Sequence, residues 1–236
     1  MRLRVAALAG PAVTGDGAVQ LRSKPCTIRC LPHGSQRAGR PNLTENPTMN
    51  TMQQAHSVLV LVDYQHRLMP MIHGGEAVLA EGIRLGELAR ALDVPVLGTE
   101  QNPAGLGPNP EAIRALCAST LEKMHFDACG DGLLAAIDHA HPALPAGAAR
   151  DVVVAGCEAH VCLLQTALGL LRAGHRVWVV APACGSRRAT DQALGMQRLQ
   201  QAGAWLVSRE MVAFEWLQHC RHGRFRQVLP LLKAGP

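Results

Sequence analysis

Aromatic residues are scarce in this chain. Phe, Trp and Tyr together make up 3% of its 236 residues. Any core it forms is therefore aliphatic, and the 48% hydrophobic content is enough to fill a sizeable one. Long apolar runs are also missing. None reaches the roughly 18–20 residues that a membrane span needs, so a membrane partner is not expected. There is no CxxC pair among the eight cysteines at 26, 30, 117, 129, 157, 162, 184 and 220. A domain of this size needs no disulfide staples, and several of these cysteines sit in apolar segments. Reduced thiols in a cytoplasmic protein are the expectation. No GxGxxG follows a strand pattern, which argues against a dinucleotide cofactor.

The formal charge is +5, but it is unevenly placed. Residues 1–51 hold seven basic residues against two acidic ones, whereas 52–236 hold sixteen of each. The body of the chain thus has no basic excess to offer phosphates, and no nucleic-acid partner is expected. Residues 1–54 are rich in Gly, Pro, Arg, Ser and Thr and have no sustained periodicity. They read as a disordered or mis-assigned N-terminal extension, with the functional chain starting near Met52 and a domain spanning 55–236. Their Arg-bearing, acid-poor composition also suits a targeting peptide, although the Pro and Gly content works against one amphipathic helix.

From Ser57 a regular alternation begins. Strands are expected at 57–64, 94–100, 119–124, 151–156, 176–183 and 204–208. Helices are expected at 75–92, 109–117, 130–140, 160–174, 190–203, 209–220 and 225–234. Pro110 falls in the first turn of the second helix, Asp131 is the expected cap of the third, and Gly174 and Gly203 close later ones. Continuous apolar strands alternating with helices predict an α/β fold, a doubly wound, mainly parallel six-stranded sheet with helices on both faces.

In such a sheet, ligands bind beyond the carboxyl ends of the strands. Those ends carry Asp63, Glu100, Lys123, the loop from Gly156 to Cys162, and Cys184. A lone cysteine is by default a small buried hydrophobe, but Cys162 stands at the mouth of a helix just past a buried strand. A thiol attacks as thiolate, and its free pKa of roughly 8.5 calls for activation. The helix N-terminus and Lys123 favour the anion. Asp63 can take the thiol proton and return it to a leaving amine. Backbone amides of the 157–162 loop can hold an oxyanion. The set points to acyl transfer through a thioester, with Lys123 and the helix end expected to outweigh Asp63 and lower the thiol pKa.

These segments resemble the isochorismatase-like cysteine hydrolases over about residues 57–210. The resemblance rests on "VLVLVDYQ" with Asp63, "LEKMHFDA" with Lys123, and "GCEAHVCLLQTALGLL" with Cys162, the most specific motif of the three. "VPVLGTEQNPAGLGP" is similar to the isochorismatase-domain-containing subgroup. The resemblance implies Cys162 as nucleophile, Asp63 as base and Lys123 as third member. It also implies a cis peptide at Cys157–Glu158 and an oxyanion hole from the amides of Glu158 and Cys162. Gln65, Glu100, Gln101 and His125 are candidate pocket residues. Two departures stand out. Pro182 replaces an Asp frequent in relatives. "TEQNPAGLGP" lacks the histidine of a nicotinamidase metal cluster, so no metal and no cofactor are expected, and nicotinamide is disfavoured as substrate. The retained cysteine argues against isochorismate itself.

Other motifs carry less. "HCRHGR" (219–224) lacks a fourth zinc ligand and the spacing for one. Cys162 is followed by Leu168 where a phosphatase loop needs arginine. "GSRR" (185–188) offers arginines that can meet a substrate carboxylate but that ordinarily face solvent. A redox role lacks a resolving cysteine, Cys157 being the nearest. The sequence thus predicts a cysteine hydrolase of a small amide or related C–N bond, and a homo-oligomer for which the apolar "MVAFEWLQ" face could serve. The alternative is a catalytically idle oligomeric scaffold.

Overall fold

The computed structural model describes residues 51–233, so most of the expected 1–54 extension lies outside the described residues. The elements run in the order β1 (Ser57–Val62), α1 (Gly75–Ala91), β2 (Val96–Gln101), α2 (Pro103–Leu106), α3 (Glu111–Arg114), β3 (Ser119–Lys123), α4 (Leu133–Ala140), β4 (Asp151–Cys157), α5 (Cys162–Arg172), β5 (Arg176–Gly185), α6 (Ala189–Gln201), β6 (Trp205–Val207), α7 (Arg209–Leu217) and α8 (Phe225–Lys233).

The six strands form one sheet in the order β3-β2-β1-β4-β5-β6. All five pairings are parallel. β1 and β4 are buried at every residue, as their unbroken apolar runs predict for central strands covered on both faces. On one face α1 packs with α3, α7 and α8; on the other α5 packs with α6 and the turn at Ala128–Asp131.

This order has one switch point. The chain leaves β1 toward β2 and leaves β4 toward β5, although β1 and β4 are neighbours. A crevice opens at their carboxyl ends. Their approach there is close. Gly156 has φ +145°, and a Cβ on it would lie 2.0 Å from the Val62 carbonyl oxygen, so no larger residue fits.

Several boundaries differ from the expected ones. The domain includes residues before 55: the Met52 side chain is fully buried, and its N–H donates to Glu215 Oε2 at 2.8 Å. The helix expected at 109–117 is the single turn α3, and Pro110 is its N-cap rather than part of it. The cap of α4 is Gly132 at φ +108°, not Asp131. The Asp131 carboxylate instead accepts from the amides of Met124 and His125, which ties down the turn after β3. Pro182 lies exposed in an irregular stretch of β5, where the register against β4 shifts between Val154 and Gly156. A proline is tolerated at such a bulge because no ladder hydrogen bond is asked of it. On α7, Val212, Ala213, Trp216 and Leu217 are buried in the core, so only Met211 and Phe214 of the "MVAFEWLQ" face are large apolar side chains left exposed.

Candidate active site

Three strand ends and one helix start meet at the switch point. Asp63 directly follows β1, in the left-handed region at φ +50°. Lys123 is the last residue of β3. Cys162 is the first residue of α5, beyond the loop that follows β4. Lys123 Nζ lies 2.8 Å from Asp63 Oδ2, and neither side chain has any exposed surface.

Each oxygen of Asp63 has a different neighbour. Oδ1 accepts a hydrogen bond from the Thr99 hydroxyl at 2.6 Å. Oδ2 is paired with Lys123 by charge, but the approach is off the hydrogen-bond direction, so this buried oxygen keeps an unused acceptor site. The Lys123 ammonium instead directs its hydrogens at Gln101 Oε1 (2.7 Å) and the carbonyls of His125 (3.3 Å) and Phe126 (3.4 Å).

Burial pushes the Cys162 thiol up to about 12; the Asp63 charge adds to this and Lys123 pulls it down. The expected low-pKa thiol is therefore not what the site holds. Loss of hydration outweighs the lysine. The resting group is a neutral thiol beside a buried carboxylate oxygen with a free acceptor site.

The loop after β4 contains a cis peptide at Cys157–Glu158. Val161 and Leu163 donate their amides to the Glu158 carbonyl, and Ala159 donates to Gly185. The amides of Glu158 and Cys162 have no hydrogen-bond acceptor among the described residues. Val161, the N-cap of α5, supplies no side-chain cap either. The first amides of a helix are left open in this way unless something caps them. Glu158 Oε1 accepts from Arg187 Nε at 2.8 Å and from the Arg187 amide at 3.3 Å, so an arginine of the "GSRR" stretch is tied to this loop.

These groups border a cavity of about 350 Å³. Asp63, Gln101, Glu158 and Cys162 line it together with Arg67 and Arg187, and the apolar wall includes Leu68, Leu106, Phe126 and Val161. A larger groove of about 770 Å³ runs along α7 past Met211 and Phe214, away from these groups, and no cysteine or histidine lines it. Among the described residues, no three His, Cys, Asp or Glu side chains gather as metal ligands.

Of the candidate pocket residues, Gln101 lines the cavity and the other three do not. Side chains alternate along a strand. Thr99 and Gln101 face the site, which sends Glu100 to the other side, where it accepts from the Asn109 amide at 2.8 Å and helps raise the Cys117 thiol, chiefly by burial, to about 11. Gln65 is a buried clip: its Nε2 donates to the carbonyls of Gln101 (3.0 Å) and Gly107 (2.6 Å), and its Oε1 accepts from the Gln101 amide. The His125 ring is exposed and pairs with Asp131 at 2.8 Å, so only its carbonyl reaches the site. Cys157 is buried, with its sulfur 3.7 Å from that of Met69. Sequence reasoning missed Thr99, whose signal was its spacing of two from Gln101 on one strand face.

A doubly wound, all-parallel six-stranded sheet with Asp63, Lys123 and Cys162 gathered at its carboxyl edge defines the α/β class whose crevices lie at that edge. Within that class, the chain belongs to the isochorismatase domain family, whose model matches residues 57–211. It is 32% identical over 185 residues to mouse isochorismatase domain-containing protein 2A, covering 75% of this chain and 82% of that one. It is 31% identical over 187 residues to human isochorismatase domain-containing protein 2, covering 79% and 88%. Among solved structures it is similar to the MAR1 ribonuclease from Caenorhabditis elegans, with TM-score 0.69, 29% identity, and coverage of 79% and 94%. It shares its fold with the YcaC gene product of Escherichia coli, an octameric hydrolase of unknown specificity, with TM-score 0.69, 22% identity, and coverage of 79% and 92%.

Proposed function

We propose that this isochorismatase-like hydrolase cleaves a small amide or related C–N bond through a thioester on Cys162. The observation that carries the reading is the buried Asp63 Oδ2, charge-paired with Lys123 yet with an acceptor site unused, beside a neutral thiol.

The cycle balances with this chain's own groups. Cys162 sulfur attacks the acyl carbon while its proton passes to Asp63 Oδ2. The carbonyl oxygen gains negative charge and is held by the open amides of Glu158 and Cys162. Asp63 gives the proton to the leaving nitrogen, the C–N bond breaks, and a thioester remains. Water then attacks with its proton going to Asp63. The proton returns to sulfur as the acid product departs. Lys123 holds the carboxylate in place.

The cavity volume of about 350 Å³ sits at the small end of the ~300–1,000 Å³ range of ligand sites, which supports a small substrate. The C. elegans relative bears the name ribonuclease. The even charge balance of residues 52–236 favours a small molecule over RNA for this chain. A panel of small primary amides, read as ammonia release with the Cys162→Ala protein as blank, tests the reading. Ammonia above the blank from at least one amide is expected. Release from no amide, with no slowing of RNA breakdown in Cys162→Ala either, would favour the idle scaffold. RNA cleavage that depends on Cys162 would replace the small-amide substrate.

A further inference from the structure

We infer that β2, which contributes no member of the reacting trio, supplies its support: Thr99 and Gln101 are positioning residues that fix Asp63 and Lys123 from the strand between them. This rests on the reading of Asp63 as the base.

β2 lies between β1 and β3, with Val62 opposite Thr99 and Gln101 opposite Lys123. Residues 99 and 101 share one face, so two side chains one repeat apart reach outward to the two neighbouring strands. Thr99 reaches the residue after β1, its hydroxyl donating to Asp63 Oδ1 at 2.6 Å. Its own carbonyl accepts the Asp63 amide at 3.1 Å and Asn109 Nδ2 at 3.0 Å, so both ends of the contact are anchored. Thr99 is fully buried and does not line the cavity, and so acts only through Asp63.

Gln101 reaches β3. Its neighbours fix which end of the amide is which: Oε1 faces an ammonium, which can only donate, and Nε2 faces the Met124 carbonyl at 2.8 Å, which can only accept. With its hydrogens committed to Gln101 and two carbonyls, Lys123 meets Asp63 as a charge. With Oδ1 occupied by Thr99, the free acceptor site falls on Oδ2. The two contacts together decide which oxygen takes the thiol proton.

The charged and titratable groups around Asp63 are Lys123 from β3, Cys157 from β4 and Cys162 from α5, with Arg67 and the Glu158–Arg187 pair on the cavity wall. None of these is altered by a change at Thr99. Removing the hydroxyl takes a donor from the charged form of Asp63 and makes that carboxylate easier to protonate.

The test is alkylation of Cys162 by iodoacetamide as a function of pH, on the full chain, quantified by peptide mass spectrometry. Sulfur bonds to the methylene carbon, iodide leaves, and the thiol proton passes through Asp63 to solvent. While the pair shares one proton, the rate is level with pH. It falls on the acid side as Asp63 becomes protonated. Thr99→Val is expected to move that acid limb up by about one pH unit, as loss of a hydrogen bond to a charged group implies. Thr99→Ser, which keeps the hydroxyl, should follow the original curve, and Thr99→Ala should shift as Val does should the valine protein fold poorly. Gln101→Leu should lower the level rate several-fold without moving the limb. A Thr99→Val curve that superimposes on the original, or a serine curve displaced as far as the valine one, overturns the inference while leaving Asp63 as base. A curve for the unaltered protein with no acid limb overturns the reading beneath it.

Discussion

Lys123 Nζ meets Asp63 Oδ2 at 2.8 Å across the full width of β2, with both side chains sealed from solvent. Neighbouring strands lie about 4.8 Å apart, so β3 and β1 are separated by roughly twice that, and only a long side chain spans the gap. The reach of a lysine is what lets an edge strand contribute to a centre two strands away.

The pair is therefore costly to break from one side. Lys123→Met leaves a buried carboxylate without its counter-charge, for which a loss of about 3–5 kcal/mol is typical. Urea denaturation at neutral pH should show this as a lower midpoint at unchanged slope. The same substitution removes a charge that pulls the Cys162 thiol down, so the alkaline rise in Cys162 alkylation should move to still higher pH. A midpoint within experimental error of the original would mean that the pair is not buried as described.

Met52 gives a stability prediction far from the chemistry. Its fully buried side chain makes it part of the core. Met52→Ala should cost about 2–5 kcal/mol, from the apolar surface no longer buried and the cavity left behind. Thermal melting followed by circular dichroism checks this, and a melting temperature unchanged by the substitution would return the domain boundary to residue 55.

Gly156 is the tightest point of the switch. At Gly156→Ala the new methyl would stand 2.0 Å from the Val62 carbonyl oxygen, in backbone at φ +145°. Neither central strand can yield without disturbing the Asp63 and Cys162 ends together. A destabilisation above about 4 kcal/mol is expected, seen as insoluble protein or a collapsed melting temperature. An alanine protein that melts within a few degrees of the original contradicts the close approach.

The sheet was legible because its signal is long and redundant: continuous apolar runs at β1, β4 and β5, with helical periodicity between the strands. The meeting of Asp63, Lys123 and Cys162 was legible for a simpler reason, since parallel strands bring their carboxyl ends to one edge. What failed was anything decided by a single side-chain direction. Glu100 sits between two residues that face the site and so faces away from it. Gln65 and His125 are in the right segments, but one is consumed by backbone groups and the other turns to solvent. The thiol was misjudged because charge can be read from sequence, whereas the depth at which a charge must sit cannot. Burial is the first cause of the shift in Cys162, ahead of every named neighbour.

The central claim, that Cys162 is acylated with Asp63 moving its proton, is tested most directly by p-nitrophenyl acetate, which needs no knowledge of the natural substrate. Mixing it with the protein at neutral pH transfers acetyl to the attacking atom and releases p-nitrophenolate. Acid quenching and peptide mass spectrometry then locate the acetyl group. The account predicts a stoichiometric burst with acetyl on the Cys162 peptide, absent from Cys162→Ala and slowed at least a hundredfold in Asp63→Asn, the lower bound of typical general-base contributions of about 10²–10⁴. An equal burst in Cys162→Ala, or acetyl found on any other residue at that stoichiometry, would contradict it.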